Sequence, residues 1–339
     1  MTVIGVELRE APAAVARQQH ALAASLKDLV WQLSLRPPSV VVTCARGSSA
    51  HAAAFAKHLI ERHLTIPVAA AAPVIATAYR RELRLDGQLF LAISQSGRSD
   101  DLIETTWSAR RAGALCAALV NDPESPLASA CDITLPIGAG PERAVAATKS
   151  FIATLSALLR LVAQWTESHA LNEALHRLPR RLEEAAELDW YGAVRDLSTA
   201  QSLVTIGRGP SLPIAREAAL KLKEIANLHA EAFSGAEFMH GPVTLVRPDY
   251  PLLMFVAPDE TAPGMRRLAK ELRDKEAKLL CADPQAEGGG HLPSLSPDHA
   301  DVDVLCLIQS FYAMTPRLAA ARGIDPDRPR HLQKVTRTR

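Results

Sequence analysis

The chain has 339 residues, 48% of them hydrophobic, and its 38 basic and 37 acidic side chains leave a formal charge of +1. That length can bury two cores, and so balanced a charge argues against a nucleic-acid or membrane surface as the partner. Aromatic residues make up 4% of the chain, too few for a base-stacking platform. The five cysteines, Cys44, Cys116, Cys131, Cys281 and Cys306, are scattered and odd in number, which reads as free thiols in a reducing compartment. MTVIGVELREAP has no signal-peptide pattern, and no apolar run approaches the ~18 residues of a membrane span. The expectation is a soluble, cytoplasmic protein.

From the N-terminus, an amphipathic pattern predicts a helix over 13–35, stopped by Pro37-Pro38. The apolar run Ser39–Cys44 predicts a strand of the kind that is covered on both faces in a parallel sheet. It runs through ARGSSAHA into a helix reaching Arg62. Further strands are expected at Val68–Ala71, Leu89–Ile93, Leu115–Val120 and Ile133–Pro136, with a helix over 145–166. A linker helix over 170–188 follows, then a strand at Ser202–Ile206, a helix over 213–230, and strands at Leu252–Val256 and Lys278–Ala282. Residues 284–299 are rich in Gly, Pro and Ser and read as a surface loop; from Gly323 the tail reads as an extended arm. Strands alternating with helices imply doubly wound α/β architecture.

The pattern occurs twice. TCARGSS and TIGRGPS lie 162 residues apart, and LFLAIS and LLMFVA 163 apart. Two α/β units are therefore expected, 1–168 and 169–339. Their chemistry differs: Ser94-Gln95-Ser96 in the first copy faces Ala257-Pro258-Asp259 in the second.

A strand feeding a helix leaves unpaired N–H groups and a partial positive charge at the turn, which suits a phosphate. Ser94, Gln95, Ser96 and Ser99 add neutral donors there, Gly97 allows close approach, and Ser48, Ser49 and Thr148 could join from neighbouring helix starts. The competing reading is N-capping, which accounts for one serine. Asp100 and Asp101 oppose an anion unless they face outward. Glu217, Lys221 and Glu224 share a helical face, either as a solvated salt-bridge stripe or as a base beside an anion-steering cation. His240, before Gly-Pro, sits in an unusual turn. No P-loop, GxGxxG or HExxH is present, and His51, His58 and His63 read as surface residues, so neither metal nor cofactor is expected.

Six segments, ARGSSAHA, SQSGRSDDL, AVAATKSF, EAALKLKEIANLHAE, EFMHGPVTL and PRHLQKVT, together resemble the sugar isomerase (SIS) family. The likeness is greatest to its tandem-domain members: the isomerase half of glucosamine-6-phosphate synthase and the amino-sugar-phosphate deaminases. The resemblance implies two flavodoxin-like three-layer αβα domains. It implies a sugar-phosphate cradle of Ser49, Ser94, Gln95, Ser96 and Ser99, and sugar contacts at Val145 and Ala146. It makes Glu224 the carboxylate that moves a proton between C1 and C2, with Lys221 its neighbour. His240 becomes the ring-opening histidine, which in the synthase comes from the other subunit, and Lys334 the lysine that closes over the sugar. A homodimer with shared sites is implied as well. Thr2 stands where the synthase exposes a glutaminase cysteine, so the same carbon chemistry is expected in the ammonia-releasing direction. The function expected is glucosamine-6-phosphate deaminase. The alternatives are a galactosamine-6-phosphate deaminase, a fructosamine-phosphate deglycase, a glutaminase-less synthase, or a sugar-phosphate sensor without activity.

Overall fold

Apolar runs of four to six residues form most of the strands of two parallel sheets. The computed structural model describes residues 2–286 and 288–334, which fold as two compact units. One comprises Ala13–Glu142, Lys149–His176 and, among the described residues, Gln333 and Lys334. Its strands are β1 (Val41–Ala45), β2 (Val68–Ala70), β3 (Leu89–Ser94), β4 (Leu115–Val120) and β5 (Ile133–Pro136), in the order β2-β1-β3-β4-β5. Every residue of β3 is buried, as a central strand with helices on both faces requires. Phe90, Leu102, Cys116 and Leu127 belong to one core cluster on this sheet. The strand order reverses between β1 and β3, and open α/β sheets bind ligands beyond the carboxyl ends of strands at such a point. Helices Gly47–Leu64 and Asp100–Arg111 start there.

The other unit comprises the leading residues up to Pro12, Arg143–Thr148 and Arg177–Leu332. Its strands are β6 (Ser202–Gly207), β7 (His229–Ser234), β8 (Pro251–Phe255), β9 (Lys278–Ala282) and β10 (His291–Leu292), in the order β10-β9-β8-β6-β7. Taken from the β7 end, this is the arrangement of the first sheet, so the repeat in sequence is a repeat in topology. Even the turns match: Gly47 and Gly209, 162 apart, both take a left-handed φ, +54° and +57°.

Several expected boundaries move. The helix expected from Val145 starts at Lys149, leaving 145–148 as loop. The helix expected to reach Ala230 stops at Ala226, because Asn227 turns left-handed with φ 47°, and His229–Ser234 is a strand. The 284–299 loop contains the short strand β10. Helix Ala300–Ala321 was not anticipated at all. It holds no uninterrupted apolar run of that length, as expected; by length and composition it could cross a membrane, but 72% of its apolar stretch is buried in the fold. The last two residues of the PRHLQKVT segment, Val335 and Thr336, lie outside the described residues.

Candidate active site

β3 ends at Ser94 and the next helix begins at Asp100, so Gln95 to Ser99 form the turn. Ser94 Oγ accepts from Gly97 N at 3.1 Å, and Ser96 Oγ accepts from Arg98 N at 3.3 Å. Ser99 occupies the N-cap position but its side chain makes no capping bond, so the capping alternative fails at the residue best placed for it. Among the described residues, no side chain of Ser49, Ser94, Gln95, Ser96 or Ser99 donates a hydrogen bond to the protein. Their protons are available. Gly97 holds φ +62°, and a Cβ there would collide with the Ser125 side chain. β1 and β3 are neighbours, paired at Ala45 and Ile93, so the Ser49 helix start and the Ser94–Ser99 turn share one carboxyl edge. The structure places these five residues along that one edge.

Asp101 does not face outward, the arrangement that would have removed its conflict with an anion. It is 4% exposed and accepts from Arg46 Nε at 3.0 Å and Nη2 at 2.8 Å. Arg46, the residue ahead of helix Gly47–Leu64, compensates this charge, while Asp100 is exposed. Burial, with Asp101 as the second cause, pushes the Cys44 thiol up to about 12, so no thiolate nucleophile stands at the end of β1. All five cysteines are free, as expected.

In the other unit, helix Ser211–Ala226 crosses from β6 to β7 and carries the acidic pair. The solvated-stripe reading is wrong: Glu217 and Lys221 are 0% and 1% exposed. Lys221 Nζ lies 2.5 Å from Glu224 Oε2 and 3.5 Å from Glu217 Oε1. Tyr312 Oη, on helix Ala300–Ala321, donates to Glu217 Oε1 at 3.0 Å. Two carboxylates and one ammonium thus form a buried chain, and only its last member, Glu224, reaches solvent. Glu224 lines a cavity of about 400 Å³ with Lys223, Asn227, Asp325, Arg328 and His331. A carboxylate oriented by a fixed lysine and open to a cavity of sugar size is suited to moving a proton.

The remaining candidates are distributed as follows. Val145 is half-buried and Ala146 buried, in the loop ahead of helix Lys149–Trp165. Ala144 and Ala146 pack with Ile225, the residue after Glu224. His240 is exposed in a turn, its backbone N bonded to Glu237 O at 2.9 Å, and Gly241 beside it has φ +137°. Among the described residues no hydrogen bond joins the His240 side chain to Glu224. Lys334 Nζ lies 3.2 Å from Glu142 Oε2, a buried carboxylate that also accepts from Ser150 N and Oγ at 3.1 and 2.6 Å. Sequence reasoning missed Arg46, Glu142 and Tyr312. Tyr312 stands 95 residues from Glu217, so no spacing pattern pointed to it. Among the described residues no His, Cys, Asp and Glu cluster could hold a metal ion.

Comparison with known proteins identifies the family. The family model described as SIS domain matches residues 34–163 and 196–284. The glutamine–fructose-6-phosphate aminotransferase (isomerizing) of Thermotoga maritima is 31% identical over 311 residues, 87% of this chain and 50% of that protein. The chain thus spans about half the length of the curated relatives it matches. A solved protein from Silicibacter pomeroyi, assigned as a phosphosugar isomerase, is 42% identical with a TM-score of 0.92, covering 96% of this chain and 100% of that one. A glucosamine-6-phosphate deaminase from Thermotoga maritima, 23% identical with a TM-score of 0.73 over 97% of this chain and 98% of that one, shares the fold.

Proposed function

The chain belongs to the SIS domain family, and from that premise we propose that it is an amino-sugar-phosphate deaminase, converting glucosamine 6-phosphate and water to fructose 6-phosphate and ammonia. The observation that carries this reading is the buried chain Tyr312–Glu217–Lys221 ending in a solvent-accessible Glu224 at a cavity. A sensor that only binds sugar has no use for a carboxylate so oriented.

In this reading the phosphate rests on Ser49, Ser94, Gln95, Ser96 and Ser99, whose free donors replace its water without adding a competing cation. Anchoring the phosphate fixes the reacting carbons, which is how orientation lowers a barrier. His240 assists opening of the pyranose ring. Glu224 removes the proton from C2 and delivers it to C1, while the C2 amine becomes an imine. Water adds to that imine and ammonia leaves, giving the ketose. Lys221 holds Glu224 in place, and Lys334 exchanges Glu142 for the sugar as the tail closes. The active chain is a homodimer in which His240 comes from the partner; its exposed turn, flanked by exposed Met239 and Leu245, supports that role.

A second reading runs the same carbon chemistry toward amination with ammonia supplied from elsewhere. It is favoured by the aminotransferase name of the relatives matched over half their length. Ammonia release from glucosamine 6-phosphate, compared with galactosamine 6-phosphate and with the reverse reaction from fructose 6-phosphate and ammonium, separates these readings. No ammonia from either amino sugar, with hexose phosphate still bound, would refute the deaminase reading and favour the sensor.

A further inference from the structure

The segment ahead of the first long helix has no part in the chemistry above, yet it meets both the loop and the tail beside Glu224. Val3–Glu7 is a short helical segment capped by Thr2, whose Oγ1 accepts from Gly5 N at 3.1 Å. Glu7 is 5% exposed, and among the described residues no cation pairs with it. Its carboxylate instead takes two successive backbone N–H groups, from Arg143 at 2.5 Å and from Ala144 at 3.0 Å. These open the stretch that carries Val145 and Ala146. Ile4, one helical turn earlier, packs with Ala144, Ala146 and Ile225. On the other side, Val3 N and Ile4 N donate to the Asp327 carboxylate at 2.7 and 2.9 Å, and Arg328, the next residue, lines the cavity with Glu224.

We infer that Glu7 is a positioning residue: its buried carboxylate fixes the backbone of Arg143–Ala146 as a wall beside Glu224 and thereby sets sugar affinity. The sugar part of this inference rests on the deaminase reading; the loop part does not. A carboxylate is the one side chain whose two oxygens both accept, so it can take both of these backbone N–H groups at once. Glutamine has the same shape but presents an NH₂ to one of the two N–H donors, so Glu7→Gln opposes donor to donor without creating a cavity.

The test uses the full chain and reads two quantities, hydrogen exchange of the 143–148 amides and steady-state kinetics with glucosamine 6-phosphate. In Glu7→Gln the exchange of Arg143 and Ala144 rises by about tenfold or more, with the β-strand amides of the same unit unchanged. KM rises about tenfold while kcat changes less than about threefold, a split that a general loss of stability does not produce. Glu7→Asp, which withdraws the carboxylate by one methylene but keeps both acceptors, recovers part of the KM. Unchanged loop exchange, or faster exchange with KM unaltered, overturns the inference. Failure of both variants to fold would make Glu7 an ordinary core residue and would overturn it too. A wild-type chain that binds no hexose phosphate refutes the sugar reading instead, and the exchange result then judges the loop contact alone.

Discussion

At the carboxyl end of β3 the chain turns through Ser94, Gln95, Ser96 and Ser99; at the equivalent end of β8 it turns through Ala257, Pro258, Asp259 and Thr261. Both turns follow a buried central strand and feed a helix. In the second, Asp259 Oδ1 closes the turn on itself, accepting from Thr261 N at 2.9 Å and from Thr261 Oγ1 at 2.6 Å. In the first, the hydroxyls donate to no protein group among the described residues. The flanking serines repeat the contrast. Ser211 Oγ is fully buried and donates to the carbonyls of Arg208 and Phe255, both at 2.9 Å. Its counterpart 162 residues earlier, Ser49, is half-buried and makes no such bond among the described residues. One topology can therefore satisfy its turns internally or leave them open for a ligand.

That contrast can be broken by exchange. Ser96→Asp, which installs the residue of the closed turn, should weaken hexose 6-phosphate binding about a hundredfold in calorimetry. The reverse exchange, Asp259→Ser, should leave that affinity within about twofold. Equal effects of both changes would dissolve the distinction between the two turns. Gly97→Ala probes the backbone of the open turn. A left-handed φ of +62° and collision with Ser125 should lower the unfolding midpoint by several degrees, since the backbone alone costs about 1–2 kcal/mol. A stability equal to wild type would show that the turn has another conformation. Tyr312→Phe sharpens the other half of the comparison. It removes the donor to the buried Glu217 carboxylate and should lower both stability and activity, by about 1–3 kcal/mol in denaturant unfolding and up to about tenfold in kcat. Unchanged values would mean that Glu217 is satisfied without Tyr312.

The sequence made the repeat, the doubly wound class and the serine turn legible, because each rests on local pattern: a short apolar run, a recurring Arg-Gly turn, a cluster of small polar residues. The misses have physical causes. β7 lies at a sheet edge, and its burial does not alternate cleanly, so NLHAEAF lacked a period of two and was absorbed into the helix. Asn227 was the available stop signal. Helix Ala300–Ala321 is buried nearly all round, which removes the amphipathic stripe, and Pro316 interrupts its pattern. The inward turn of Asp101 was not legible because Arg46, its partner, lies 55 residues away. Likewise Glu7 reaches Arg143 across 136 residues, a pairing no short motif can express.

The central claim is that Glu224 moves the proton while other residues hold the sugar. Glu224→Gln tests it most directly, with ammonia release and hexose 6-phosphate affinity measured on the same preparation. The account expects ammonia release from glucosamine 6-phosphate to fall by about 10²–10⁴-fold, with affinity within about threefold of wild type. Release at the wild-type rate would contradict it.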